Sequence, residues 1–147
     1  MNKQAKNSKF YLSVEGQTEA WYFEWLQNQI NTQLAGAARV SFKIKVGLTP
    51  ASMIKKVAIV SKSRFIHIFD IESSEDKHIK KVESHLKMMT DLVKGNKDIQ
   101  YSLGYCNFSF ELWMILHKRQ FMTQLTDRKQ YLKPINDLYH QKFESLK

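Results

Sequence analysis

An α/β fold, with a mostly parallel four-stranded sheet and helices on both faces, is predicted by the sequence. Apolar segments of strand length alternate four times with segments of helical periodicity. This order requires crossover connections, which are right-handed and place helices against the sheet. A length of 147 residues with 43% hydrophobic content suits one domain with a real core. We predict a single domain over residues 1–147, with its core at about 9–118 and a basic helical extension at about 119–147.

The first strand–helix pair is the best marked. An apolar segment predicts a strand at residues 9–14, and Thr18 is expected to cap a helix from Glu19 to about Leu34. Apolar residues at helical spacing predict that this helix packs on the sheet. They are Trp21, Tyr22, Trp25, Leu26 and Ile30.

The second pair follows a glycine-containing loop. Apolar and polar residues alternate at 40–46, which is typical of a half-exposed strand. Thr49 as a cap and Pro50 in the first turn predict a second helix that ends near Lys62.

The third pair begins with an apolar run at 65–69, which is typical of a central parallel strand. His67 within it is expected to be a packed or hydrogen-bonded residue rather than a ligand. Ser73 or Ser74 is expected to cap a third helix that ends at Gly95. Its apolar stripe consists of Ile79, Val82, Leu86, Met89 and Val93.

The fourth pair is a predicted strand at 99–103, a turn at Gly104 and an apolar helix of about two turns at 110–117. After residue 118 the apolar pattern weakens. A last helix with a basic surface is predicted at 132–146.

Charge and composition indicate the cellular compartment of the protein and the kind of partner it binds. The net charge of +9 is concentrated at the ends of the chain, since residues 1–9 carry three lysines and residues 118–147 carry a surplus of four positive charges. Basic ends suit a phosphate-backbone partner, although solubility alone also explains them. The lone cysteine, Cys106, excludes an intramolecular disulfide and a cysteine-based zinc site. Neither a signal peptide nor an apolar run long enough for a membrane is evident, so we expect a cytoplasmic protein.

Four acids fall after the predicted strands: Glu15 after the first, Asp70 and Glu72 after the third, and Glu111 after the fourth. Right-handed crossovers bring these connections to one edge of the sheet, where open α/β sheets bind ligands. Clustered carboxylates repel one another unless a cation balances them. Mg²⁺ and Mn²⁺ prefer such oxygen ligands. We therefore predict that Glu15, Asp70 and Glu72 hold Mg²⁺ or Mn²⁺.

Structural explanations of some acids remain open. The position of Glu72 is also typical of a solvated acid where a helix begins. The position of Glu19 is also typical of an acid in the first turn of a helix. Glu111 is also consistent with a buried structural acid paired with a base.

Three segments carry a family resemblance: VEGQTE at 14–19, FDIE at 69–72 and NFSFELWMILH at 107–117. The first two resemble the Toprim domain, the metal-binding α/β unit of topoisomerases, DnaG-type primases and OLD-type nucleases. Together the three segments resemble the RloB-like (abortive infection) family of bacterial phage-defence proteins, over about residues 9–118.

The resemblance implies a Toprim-like (Rossmann-like) sandwich and a role for each acid. Glu15 would be the general base or a metal-facing acid, Asp70 and Glu72 the magnesium pair, and Glu111 an accessory acid. Two departures stand out. The Toprim pattern usually has aspartate where Glu72 stands, and the third motif usually has proline where Phe108 stands.

The function predicted from these residues is Mg²⁺-dependent nuclease activity, or related phosphoryl transfer, on DNA or RNA in phage defence. The catalytic residues would be Glu15, Asp70, Glu72 and Glu111. A catalytically inactive module that senses nucleic acid or nucleotide and signals to a partner protein is an alternative. A structural subunit whose acids bind no metal is another. No phosphate-binding glycine loop and no serine or cysteine nucleophile motif is present. The sequence leaves open whether the protein forms an oligomer.

Overall fold

A four-stranded, all-parallel sheet with flanking helices organises the chain. The computed structural model describes residues 6–34, 38–59, 62–71, 76–95, 98–107, 109–123 and 125–146. In chain order the elements are β1 (Lys6–Val14), α1 (Gln17–Gln33), β2 (Ala38–Val46), α2 (Pro50–Lys55), β3 (Ser63–Ile71), α3 (Asp76–Gly95), β4 (Ile99–Asn107), α4 (Phe110–Leu116), a 3₁₀ turn (Arg128–Tyr131) and α5 (Leu132–Tyr139). The strand order is β2-β1-β3-β4, and every pairing is parallel. The predicted fold class is confirmed.

Two apolar cores cover the two faces of this sheet, because successive strand residues point to opposite faces. On the first face, Leu12 and Val14 pack with residues of α1, α4 and α5. On the second face, Tyr11 and Phe65 pack with Met53 of α2. The larger core therefore lies under α1, α4 and α5.

The strands are longer than the sequence suggested. β3 continues to Ile71, so that Asp70 lies inside the strand rather than after it. β4 continues to Asn107, and the predicted turn at Gly104 is wrong. Gly104 instead pairs with Ile68 in the middle of a nine-residue register. Hydrogen bonding along this whole ladder outweighs the weak strand preference of glycine.

The first two helices differ in how well their starts were predicted. Thr49 caps α2 as expected, with its side chain accepting a hydrogen bond from the backbone N–H of Ser52 at 3.3 Å. α2 ends at Lys55, earlier than predicted. The predicted cap at Thr18 is wrong, because α1 begins at Gln17 with Gly16 as its N-cap and Thr18 is buried in the first turn.

The C-terminal segment packs into the larger core. α5 ends at Tyr139, before the predicted end, because His140 adopts a left-handed backbone conformation (φ 54°) that terminates the helix. Ile135 and Tyr139 of α5 are buried, and the Tyr139 hydroxyl donates to the backbone oxygen of Met114 at 2.8 Å. The division into core and extension stays a prediction.

α3 covers the second face loosely. None of its residues is buried, and Ile79, Leu86 and Val93 of the predicted stripe are exposed. His85 nevertheless packs against the rings of His67 and Phe69. The predicted caps Ser73 and Ser74 lie outside the described residues.

Candidate functional site

The carboxyl edge of the sheet is where three of the predicted acids lie. Glu15 follows β1 directly, Asp70 is the penultimate residue of β3, and Glu111 is the second residue of α4. β1 and β3 are parallel neighbours, so their carboxyl ends lie side by side. The fourth predicted acid, Glu72, lies outside the described residues.

Glu15 contacts both β3 and α3. Its Oε2 atom accepts a hydrogen bond from the backbone N–H of Asp70 at 3.1 Å, and its Oε1 atom forms an ion pair with Lys81 Nζ. The Glu15 side chain is half-buried, and Lys81 is more exposed. Glu15 thus links the ends of two strands to a helix, and a lysine balances its charge.

A buried group of acids, here called the acid cluster, consists of Glu19, Asp70 and Glu111. Their exposed fractions are 3%, 5% and 0%. Arg128 donates from Nε and Nη2 to Glu111 Oε1 at 3.0 and 2.8 Å, and its Nη2 lies 3.6 Å from Asp70 Oδ2. The backbone of Phe110 also favours the charged form of Asp70 and lowers the pKa of its carboxyl group. Glu111 is therefore a buried acid paired with a base, the structural alternative that the sequence left open.

Burial perturbs the titration of the acid cluster. It raises the pKa of Glu19 to about 7, because desolvation disfavours the charged carboxylate. Burial likewise raises the pKa of Asp70 to about 6, with the Arg128 guanidinium opposing the rise and Glu111 adding to it. Glu19 and Asp70 therefore bind protons at a higher pH than free carboxyl groups do when no further cation balances them.

The donor chemistry of the acid cluster fits a divalent cation. Asp70 and Glu111 share the Arg128 guanidinium, and within the described residues Glu19 Oε2 and Glu111 Oε2 are buried without a hydrogen-bond partner. Carboxylate oxygens are what Mg²⁺ prefers, and it typically takes only one or two of them beside water and substrate oxygens. No three His, Cys, Asp or Glu side chains in the described part of the chain are placed to hold a metal ion together. An ion here would thus depend on one or two acids.

Arg128 connects the acid cluster with solvent. Its side chain is 44% exposed while that of its partner Glu111 is fully buried. Arg128 also lines a cavity of about 610 Å³, together with Ser109, Leu112 and Tyr131. A ligand in this cavity would meet the Arg128 guanidinium and also the Asp127 side chain, which lines the same cavity.

Histidines occupy the second face of the sheet at the same edge. The Nδ1 atom of His67 lies within hydrogen-bonding distance of Ser13 Oγ, at 3.0 Å. The His67 ring packs against the His85 ring, with the two ring centroids 4.6 Å apart. Burial lowers the pKa of His67 to about 4 and also lowers that of His85. Both rings line a cavity of about 220 Å³ with Glu15 and Lys81. His67 is packed and hydrogen-bonded, as expected.

Cys106 of β4 adjoins the acid cluster. It is buried, and its thiol is free. Burial raises the pKa of this thiol to about 12, and the carboxyl groups of Asp70, Glu19 and Glu111 add to the rise. The thiol is therefore uncharged at neutral pH.

Two residues of the acid cluster region were missed by the sequence reasoning. Glu19 fits a helix first turn, but it also precedes Tyr22 and Phe23 by three and four residues, which places it on the apolar face of α1. That spacing was a usable signal for burial. Arg128 lies in a stretch without clear periodicity, and nothing in the sequence pattern marks it as the partner of Glu111.

The fold and the acids define an open, all-parallel α/β protein with its candidate site at the carboxyl edge of the sheet. The family model for RloB-like proteins matches residues 10–147, and the chain belongs to this RloB-like family. Comparisons with curated proteins and with solved structures find no match. The broader resemblance to the Toprim domain stays a prediction. No helix in the described ranges has the length and apolar character needed to cross a membrane.

Proposed function

We propose that this protein is a cytoplasmic Mg²⁺-dependent nuclease, or a related phosphoryl-transfer enzyme, that acts on nucleic acid in bacterial phage defence. Membership of the RloB-like family supports the link to defence. The observation that carries the chemistry is the 3.1 Å hydrogen bond between Glu15 Oε2 and the backbone N–H of Asp70. It brings Glu15 next to Asp70, an acid of the acid cluster that is far from it in sequence, at one edge of the sheet.

Each acid has a role in this proposal. Asp70, with Glu72, would hold the ion, and Glu15 would act as the general base or as a further metal-facing acid. The ion would supply charge stabilisation at the phosphodiester and a more acidic bound water. Arg128 orients Asp70 and Glu111 and presents a guanidinium to the adjoining cavity, which suits an anionic phosphate.

Asp70→Asn and Glu15→Gln are each expected to reduce cleavage by at least about 100-fold, as removal of a catalytic acid or base generally does. The test is a cleavage panel of single- and double-stranded DNA and RNA with Mg²⁺ or Mn²⁺. Thermal unfolding of each variant checks that the fold survives.

Asp91→Asn is the matched control, since Asp91 is an exposed acid on α3. It is expected to cleave like the wild type. Wild-type cleavage by Asp70→Asn would remove Asp70 from the catalytic residues, and wild-type cleavage by Glu15→Gln would do the same for Glu15.

A second candidate function is a binding or sensor module that signals to a partner protein without catalysis. The internal ion pairs favour it, because Lys81 already balances Glu15 and Arg128 already contacts Asp70 and Glu111. Such acids serve structure without a metal. Salt-dependent binding of nucleic acid, with no cleavage in Mg²⁺ or Mn²⁺ and no heat of Mn²⁺ binding by calorimetry, would support the sensor over the nuclease.

A further inference from the structure

A concave basic surface, here called the lysine groove, lies on the second face of the sheet, away from the acid cluster. It is a cavity of about 460 Å³ whose lining includes Lys9, Lys43, Lys45 and Lys56, and none of the described residues that line it is acidic. Tyr11 and Met53 contribute apolar surface to it. The groove therefore combines an apolar floor with four ammonium groups.

Strand register explains why the lysines gather. β1 and β2 pair in parallel, with Tyr11 opposite Lys43 and Ser13 opposite Lys45. Paired residues of neighbouring strands share a face, so Lys43 and Lys45 lie on the same face as Tyr11, about 7 Å apart along the strand. Lys9 lies two residues before Tyr11 on that face, with its Nζ 4.9 Å from the ring centroid of Tyr11.

The charge of the groove has no internal balance. All four lysines are exposed, and in the ranges that the structure describes none of them forms an ion pair with a carboxylate. Like charges over one concave surface raise the local positive potential and concentrate anions there. The lysine groove therefore suits a ligand with several negative charges.

Protection of an exposed sheet edge is the competing explanation, since β2 is an edge strand and lysines on edge strands discourage pairing between molecules. It accounts for Lys43 and Lys45. It does not account for Lys9 on the inner strand β1 or for Lys56 at the end of α2. The other edge strand, β4, carries no charged residue at all. Edge protection therefore leaves half of the groove unexplained.

We propose that the lysine groove binds the phosphodiester backbone of one nucleic-acid strand, independently of its base sequence. This inference rests on the proposed function, because it describes how that substrate is held. The groove shares Leu48 with the smaller cavity that Glu15 and His67 line, so a strand lying in it points to the carboxyl edge of the sheet.

The test compares strand binding by the wild type and by the double variant Lys43→Gln/Lys45→Gln. A fluorescent single strand of about 20 nucleotides is titrated at several salt concentrations in EDTA, so that binding is measured without cleavage. Loss of two phosphate contacts is expected to lower affinity at least tenfold and to reduce the slope of log K against log[salt] by about 1.4. Lys43→Arg/Lys45→Arg is expected to retain the slope.

The control is Lys80→Gln/Lys87→Gln, which removes the same charge from exposed positions of α3 and is expected to change the slope by less. Equal slopes for the groove variant and this control overturn the proposal. Competition with inorganic pyrophosphate separates the two sources of phosphate. If pyrophosphate displaces the strand at equal molar concentration, the groove is a site for small phosphate compounds, and the strand proposal is overturned.

Binding and cleavage outcomes separate this proposal from the proposed function. Groove-dependent binding without cleavage in Mg²⁺ or Mn²⁺ supports the groove and contradicts the nuclease. If the protein cleaves nucleic acid but the double variant Lys43→Gln/Lys45→Gln binds the strand as the wild type does, the nuclease proposal is supported and the groove proposal is overturned.

Discussion

Replacing Arg128 with methionine is expected to lower the free energy of unfolding by about 3 kcal/mol near pH 8, because it leaves buried carboxylates without their cationic partner. Glu111 is fully buried and receives two hydrogen bonds from this one side chain. The loss falls at the low end of the usual range because Arg128 itself is partly exposed. Near pH 5 the loss should be smaller, since Glu19 and Asp70, whose pKa values burial raises to about 7 and about 6, are then largely protonated. Urea unfolding followed by tryptophan fluorescence, with a chelator present, measures both values.

Lys129→Met is the matched control, because Lys129 is an exposed neighbour with the same charge. It is expected to change stability by less than about 0.5 kcal/mol. A double-mutant cycle with Glu111→Gln should give a coupling energy of about 1 kcal/mol or more. Equal losses for Arg128→Met and Lys129→Met would show that the ion pair with Glu111 contributes little.

Glu19→Gln is expected to stabilise the metal-free protein by about 3 kcal/mol well above neutral pH and to change little near pH 4, at about 1.4 kcal/mol per unit of pKa difference. Burial raises the pKa of Glu19 from 4.5 to about 7, so the folded state binds this proton more tightly than the unfolded state. Its stabilising contribution is complete below pH 4.5 and is lost as the pH rises through 7. Glutamine mimics the protonated acid at every pH.

The measurement is the difference in free energy of unfolding between Glu19→Gln and the wild type across this pH range. The lowered pKa of His67 makes stability rise from about pH 4 to pH 6.5, but it affects both proteins equally and cancels in the difference. Glu24→Gln, at an exposed position of the same helix, should show a difference near zero throughout. A pH-independent effect at Glu19 would mean that its carboxyl group is not desolvated in the folded protein.

The order of strands and helices was predictable because periodicity and capping are local properties. Thr49 with Pro50 marked the start of α2 correctly, since a cap needs only its own first turn. The turn predicted at Gly104 was wrong because β4 pairs with β3 on both sides of this glycine, so the strand continues through it. The local sequence does not encode that pairing. Strand limits in a parallel sheet depend on the neighbouring strand, so local signals set them poorly.

The candidate site was predictable only in part, for a similar reason. Crossover handedness places Glu15 and Asp70 at one edge, and the two residues do meet there. Which acids are buried together depends on how α1, α4 and the 3₁₀ turn pack. Glu19 and Arg128 become part of the candidate site only through that packing. The charges that balance the acids, Lys81 and Arg128, lie far from them in sequence.

The chemistry of Cys106 gives the molecule a built-in reporter. It is the single cysteine of the chain, and a thiol whose pKa is raised to about 12 is almost never in the nucleophilic thiolate form at neutral pH. Alkylating reagents should therefore react with the folded protein only when β4 opens. The labelling rate then measures how often β4, next to the acid cluster, opens to solvent. No other cysteine contributes to the signal.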